Sequence, residues 1–304
     1  MSRPHAKVIV NPMAGASSTH RKWPRISRLL THIGLSFDYQ YTEGIGHAVE
    51  LTRDAVGDGY SYLVAVGGDG TVNEVANGIL CSTADSSTTL GVISTGTGSD
   101  FARSAGIPRH YVSACSCLTG SRRVLIDVGV VEYMSNGQSV RRFFVNAAGI
   151  GFDAAAVETT ERLPKYFGGT IPYLVGLLRT LFGYRNQSVV LGIGDRVETG
   201  RVLSVLVSNG RYFGGGMDVA PEARLDDNLL DVMVIGDIGK LDLLKSLPMI
   251  YKGTHGNHPK VSMERAEKVT VESSERVLVQ ADGEVLGEGP ASFWLMPAAL
   301  NIAL

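Results

Sequence analysis

The sequence predicts an α/β N-terminal domain, a mostly parallel sheet with helices on both faces, followed by a β-rich, sandwich-like C-terminal domain. Three observations predict it. Short apolar runs alternate with helical periodicity over residues 1–127. Strand-like runs dominate residues 128–294, and residues from about 295 to 304 are expected to return and complete the first domain. Glycine makes up 37 of 304 residues, about 12 % against a usual ~7 %, and it clusters where strands end rather than in linkers.

Residues 7–10 are a short apolar run closed by Asn11-Pro12, with Gly15 beyond. This reads as a buried strand feeding a loop. Trp23, Ile26, Leu29, Leu30 and Ile33 recur at helical spacing over residues 18–33. A strand at 36–41, a helix at 47–56 and a strand at 62–66 follow, the last running into Gly67-Gly68-Asp69-Gly70-Thr71. A helix at 72–80 and a strand at 90–94 lead to Thr95-Gly96-Thr97-Gly98-Ser99-Asp100 and a short helix at 101–105. In a parallel sheet of this kind ligands bind beyond the carboxyl ends of the strands, and these loops all belong at that edge.

The second half changes character. Strands at 124–134 and 139–146 are joined by Asn136-Gly137, a strong hairpin signal. A helical stretch at 153–184 is expected to break near Gly168-Gly169 and at Pro172. Strands at 188–193, 202–207 and 229–235, a helix at 241–251, and strands at 260–263, 268–272, 277–280 and 292–296 complete the reading.

Composition excludes several classes. A net charge of −2 lacks the surplus of a dedicated nucleic-acid binder or of a strongly anionic-membrane-bound protein. Cys81, Cys115 and Cys117 make no disulfide framework, and Cys115-Ser116-Cys117 without a second pair is not a zinc site. The start shows no apolar leader, and the apolar stretch at 171–182 contains Arg179 and is too short to span a bilayer. A cytoplasmic protein, peripheral at the inner membrane face, is the expectation.

The glycine loops carry the chemistry. Residues 64–71 bring a strand into a loop whose glycines allow close backbone approach, and a helix leaves with its first amides pointing out, an arrangement that favours phosphate. No Gly-Lys-Ser/Thr follows, so it is not a Walker A loop, and Asn73 stands where a dinucleotide fingerprint has its third glycine. Asp69 suits a phosphate only across a metal ion or water; as a helix cap it has a plainer role. The loop at 95–100 repeats the logic. Asn209 to Asp227 joins flexible glycines to clustered acids that could hold a hard cation. Asp282-Gly283-Glu284 could accept a proton or hold a metal, or it could simply be a hairpin turn.

Taken in order, Asn11-Pro12-x-x-Gly15, Gly67-Gly68-Asp69-Gly70-Thr71 with Asn73-Glu74, Gly96-Thr97-x-x-Asp100-Phe101-Ala102, residues 146–153, residues 209–227 and Asp282-Gly283-Glu284 resemble the diacylglycerol kinase catalytic family, which includes bacterial-type lipid kinases and is related to sphingosine and ceramide kinases. The resemblance spans essentially the whole chain. It implies the two-domain fold shared with NAD kinases, with ATP in the cleft between domains. By motif position it implies that Asn11, Thr42, Gly67, Gly68, Asp69, Gly70, Thr71, Asn73, Glu74 and Thr97 surround the nucleotide. It implies a Mg²⁺ site at Asp227 with the carbonyls of Arg224 and Leu229, and Asp69, Asp100 and Asp127 in a water-linked network around it. Glu284 resembles the proton acceptor, with Asp282 its rival. Thr95, Ser99 and Asn228 depart from the usual Pro, Asn and Gly at their positions without removing a charge.

The implied reaction is transfer of the γ-phosphate of ATP to the hydroxyl of a lipid alcohol, diacylglycerol first. A sphingoid base or another lipid alcohol, an NAD kinase-like enzyme and a non-catalytic nucleotide- or lipid-binding regulator are the alternatives. A lipid substrate at a membrane surface is the expected partner; the amphipathic segment 163–184 could lie at that interface or pack within the protein. The resemblance also implies a homodimer.

Overall fold

The computed structural model describes residues 5–82, 88–161 and 170–304. In the first half β1 (Ala6–Val10), β2 (Phe37–Tyr41), β3 (Tyr62–Gly67) and β4 (Thr89–Ser94) alternate with α1 (Ala14–His32), α2 (His47–Gly57) and α3 (Asp69–Ser82). Two short helices, α4 (Asp100–Ser104) and α5 (Tyr111–Leu118), follow. The strands pair in parallel in the order β4-β3-β1-β2. Alternation along each strand feeds two cores. Ile9, Leu63, Ala65, Leu90 and Val92 pack under α2 and α3, whereas Val8, Val10, Val64, Val66 and Ile93 pack under α1 and α5. α5 is absent from the periodic reading because it buries only Ala114, Cys115 and Leu118. All three cysteines are free.

α1 begins irregularly. Gly15, Ala16 and Ser17 all have positive φ, so the regular helix starts near residue 18, where the apolar periodicity puts it.

The second half holds β5 (Arg123–Ser135), β6 (Gln138–Phe144), β7 (Ala147–Gly151), α6 (Phe152–Glu161), α7 (Thr170–Gly183), β8 (Gln187–Ile193) and β9 (Arg196–Ser208). The short β10 (Tyr212–Phe213) and β11 (Met217–Asp218), then β12 (Leu230–Gly236), α8 (Lys240–Tyr251), β13 (Val261–Ala266), β14 (Lys268–Glu272), β15 (Leu278–Ala281) and β16 (Glu284–Ala303) complete it. Antiparallel pairings enclose a core of Val131, Phe144, Val205, Val232, Val269, Val279 and Phe293. The Asn136-Gly137 hairpin forms, with both residues at positive φ. β9 starts six residues before the reading because residues 196–201 are exposed and carry no apolar signal. The predicted break at Gly168-Gly169 lies outside the described residues. Pro172 does not break α7: it is in the first turn, where its missing N–H costs no helical bond.

β16, 20 residues long, joins the halves. It pairs with β15 and β14 in the second half and runs parallel to β4 at Asn301 and Ile302 in the first. β5 accompanies it antiparallel from Glu288 to Ala303. Among the described residues, no helix is long and apolar enough to cross a membrane.

Candidate active site

A cleft of about 850 Å³ opens at the carboxyl edge of the parallel strands and faces the turn between β15 and β16. Asn11, Thr42, Asp69, Glu74, Thr97, Asp100 and Asp282 line it, all singled out from sequence. Thr71 and Asn73 are buried beneath it, and Gly67, Gly68, Gly70, Asp127, the loop at 224–229 and Glu284 lie outside the lining.

The loops after β1, β3 and β4 fit only because of their glycines. A Cβ on Gly96 would stand 2.6 Å from the Gly68 Cα, so the two loops pack backbone to backbone. Asn11 Nδ2 donates to Thr71 Oγ1 at 3.0 Å, which ties the β1 loop to the start of α3. Asp69 and Asp100 converge on Gly98, whose Cβ would meet their Oδ2 atoms at 3.0 and 3.4 Å. Asp69 Oδ1 accepts from the Phe101 amide at 3.0 Å. Asp100 Oδ2 accepts from the Gly215 amide at 2.7 Å, while its buried Oδ1 has no hydrogen-bond partner among the described residues. Burial raises both pKa values, that of Asp100 to about 6, with the Asp69 charge adding to the rise.

Glu74 accepts the amides of Gly46 and Ala48 at 3.1 Å, so it caps α2 from the cleft wall. Asn73 turns the other way and donates 2.6 Å to Asp282 Oδ2, bridging the two halves.

The β15–β16 turn is a two-residue hairpin, with Asp282 and Gly283 both at positive φ. Besides Asn73, the Asp282 carboxylate accepts the amides of Val145, Asn146 and Ala147 at 2.8, 3.0 and 2.9 Å. Four donors fill the lone-pair positions of a carboxylate. Burial still lifts its pKa to about 6, the donors limiting the rise. Glu284 Oε2 accepts 2.9 Å from Arg142 on β6. Sequence reasoning missed Arg142, because 142 residues separate the partners and only the sheet brings them together.

At the implied metal loop, Asp127 Oδ2 accepts the Asn228 amide at 2.7 Å and Oδ1 the Ala298 amide at 2.8 Å, which clamps the loop to β5 and β16. Asn228 adopts φ 60°, supplying the conformation of the missing glycine. Asp227 Oδ1 accepts from the Leu229 amide, and Oδ2 from Arg265, whose guanidinium also reaches Asp231 at 3.4 Å. With Arg265 there, this carboxylate does not fit a resident divalent ion. The cleft pair fits one better: two carboxylates with raised pKa values converge there, and one buried oxygen is unpartnered. Among the described residues, no group of three or more His, Cys, Asp or Glu could hold a metal.

Comparisons with known proteins agree with this architecture. Residues 5–131 match the diacylglycerol kinase catalytic domain, and residues 146–304 the YegS C-terminal NAD kinase beta sandwich-like domain. A diacylglycerol kinase of Bacillus subtilis is 30 % identical over 95 % of this chain and 92 % of its own length. This chain belongs to the diacylglycerol kinase family. A diacylglycerol kinase of Staphylococcus carnosus is 29 % identical over 96 % of this chain and 92 % of its own. In fold, the chain resembles a crystal structure titled a putative diacylglycerol kinase from Bacillus anthracis, with TM-score 0.80 and 24 % identity over 99 % of this chain and 95 % of that one. Yeast NADH kinase shares the fold more distantly, with TM-score 0.52 and 10 % identity over 99 % and 84 %. Family membership makes this protein an ATP-dependent kinase of the lipid-kinase class.

Proposed function

We propose that the protein transfers the γ-phosphate of ATP to the free hydroxyl of diacylglycerol, giving phosphatidate and ADP. The observation that carries this reading is the opposition, across one cleft, of the Asp69–Asp100 carboxylates and Asp282 and Gly283 of the β15–β16 turn, with Glu284 the next residue. Phosphoryl transfer needs positioning and charge neutralisation more than covalent help. The backbone of the glycine loops supports the first. Mg²⁺ carried with the nucleotide would neutralise charge on the phosphate oxygens, with Asp69 and Asp100 as its protein ligands.

In this reading Glu284 accepts the proton of the acceptor hydroxyl while that oxygen bonds to the γ-phosphorus and the bond to the β-phosphate oxygen breaks. Arg142 holds Glu284 in place. Asp282, filled by four donors, is the anchor of the turn rather than its base. Asn73 links that anchor to the helix that follows the glycine loop.

A lipid acceptor, rather than NAD, is favoured by the cleft rim. Met13 and Ile45, both cleft-lining, are 70 % and 90 % exposed, an apolar edge with no protein covering it among the described residues. Residues 163–169 of the amphipathic segment lie outside the described residues; in its helical part Leu181 is buried and Phe182 exposed. The deciding experiment offers γ-labelled ATP with diacylglycerol, sphingoid base, other lipid alcohols and NAD. Label in phosphatidate is expected; label in NAD alone would overturn the reading, and label in another lipid alone would replace the substrate.

A further inference from the structure

We infer that Asp153 and Gln280 are positioning residues for the 282–284 turn, acting through one enclosed chain of hydrogen bonds; the inference rests on the reaction proposed above. Asp153 stands at the start of α6, immediately after β7, and takes no part in the phosphoryl transfer proposed above. Its Oδ1 accepts from Ser204 Oγ on β9, and its Oδ2 accepts from Gln280 Nε2 at 2.9 Å. Gln280 is fully buried on β15, and its Oε1 accepts the Gly283 amide at 3.1 Å. The chain therefore runs from Ser204 through Asp153 and Gln280 to the backbone of the turn.

The sheet builds this arrangement. β7 lies between β9 and β15, with Gly151 opposite Ser204 and Gly149 opposite Gln280. A Cβ on Gly149 would stand 2.0 Å from Asp153 Oδ2, so the glycine leaves the space that the carboxylate fills. The carboxylate matters for direction. Burial raises the Asp153 pKa, and the hydrogen bonds from Ser204 and Gln280 oppose that rise by favouring the ionised form; with both oxygens accepting, the group draws the NH₂ end of Gln280 and leaves the carbonyl end for Gly283. Without it the amide could turn over and set a donor against a donor. The turn needs the support: Asp282 is a non-glycine residue at φ 46°, a conformation the local backbone disfavours. Asp282 and Glu284 are placed by that turn, so Asp153 acts on them without touching substrate.

The test compares D153A, D153N and Q280E in the intact protein. D153A is expected to lower kcat about 10- to 100-fold with the KM for ATP within about threefold. D153N should recover most of that loss, because its amide can accept from Gln280 and donate to Ser204. Q280E sets two carboxylates face to face, which can coexist only by sharing a proton; its turnover relative to wild type should recover as pH is lowered from about 8 to about 6. Equal losses in D153A and D153N, or a Q280E deficit that does not change with pH, would overturn the role. Exchange of the Gly283 amide, followed by NMR without substrate, reads the same bond apart from activity. Faster exchange in D153A than in D153N supports the chain, and equal exchange overturns it. A wild-type protein that phosphorylates no lipid would remove the proposed reaction alone, and this exchange measurement would still decide the positioning role.

Discussion

The two acidic walls of the cleft are built on opposite plans. On the N-terminal wall, Asp69 and Asp100 crowd together, and one buried oxygen of Asp100 has no partner among the described residues. On the C-terminal wall, Asp282 is filled by four donors from α3, the β6–β7 loop and the start of β7. A buried charge without partners is costly and is sustained for what binds to it; a buried charge with every position filled holds structure. In the proposed reaction the first wall is the ligand-receiving side, and the second a rigid mount for Glu284.

The largest effects test the mount. E284Q should lower turnover about 10²- to 10⁴-fold with ATP binding preserved, measured by single-turnover kinetics and nucleotide titration. D282N should lose at least as much and also unfold earlier, because its NH₂ faces backbone N–H groups; preserved stability would break the contrast. R142M should cost about tenfold in kcat without a change in the KM for ATP, since Arg142 bonds Glu284 and is not among the cleft-lining residues.

The receiving wall predicts the opposite pairing of effects. The Asp100 pKa, about 6 against an ordinary 3.8, means the native state holds this proton more tightly than the unfolded chain. Stability tied to it is full below pH ~4 and lost as pH rises through ~6. D100N should therefore gain about 1–3 kcal/mol at pH ~8 while losing turnover, and the gain should vanish near pH 4 in denaturant titrations. A D100N protein less stable than wild type at pH ~8 would erase the distinction between the walls. The smallest effect lies at Asp227. Magnesium alone should leave the melting temperature of wild type unchanged through this site, whereas R265M should gain a magnesium-dependent rise of a few degrees.

The α/β half was legible because its strands are buried on both faces and punctuated by glycine, so apolar runs and loops stand out. The cleft-lining residues of the N-terminal wall followed from the same loops. Less visible were features made only by long-range pairing: Arg142 beside Glu284, Arg265 beside Asp227, and Asn73 turned towards Asp282 rather than along the cleft. The extension of β9 was hidden for a related reason, since exposed residues 196–201 are held by pairing with β8 and not by an apolar pattern.

β16 has a consequence for biosynthesis. The parallel sheet takes up its neighbour to β4 only when residues 301 and 302 arrive, more than 200 positions after their partners Thr89 and Leu90. A chain emerging from the ribosome in sequence order thus carries an exposed β4 edge through most of its synthesis. Contacts so distant are slow to close. Removing residues 300–304 should leave the first half unable to finish its sheet, although every one of its loop motifs would already have been made.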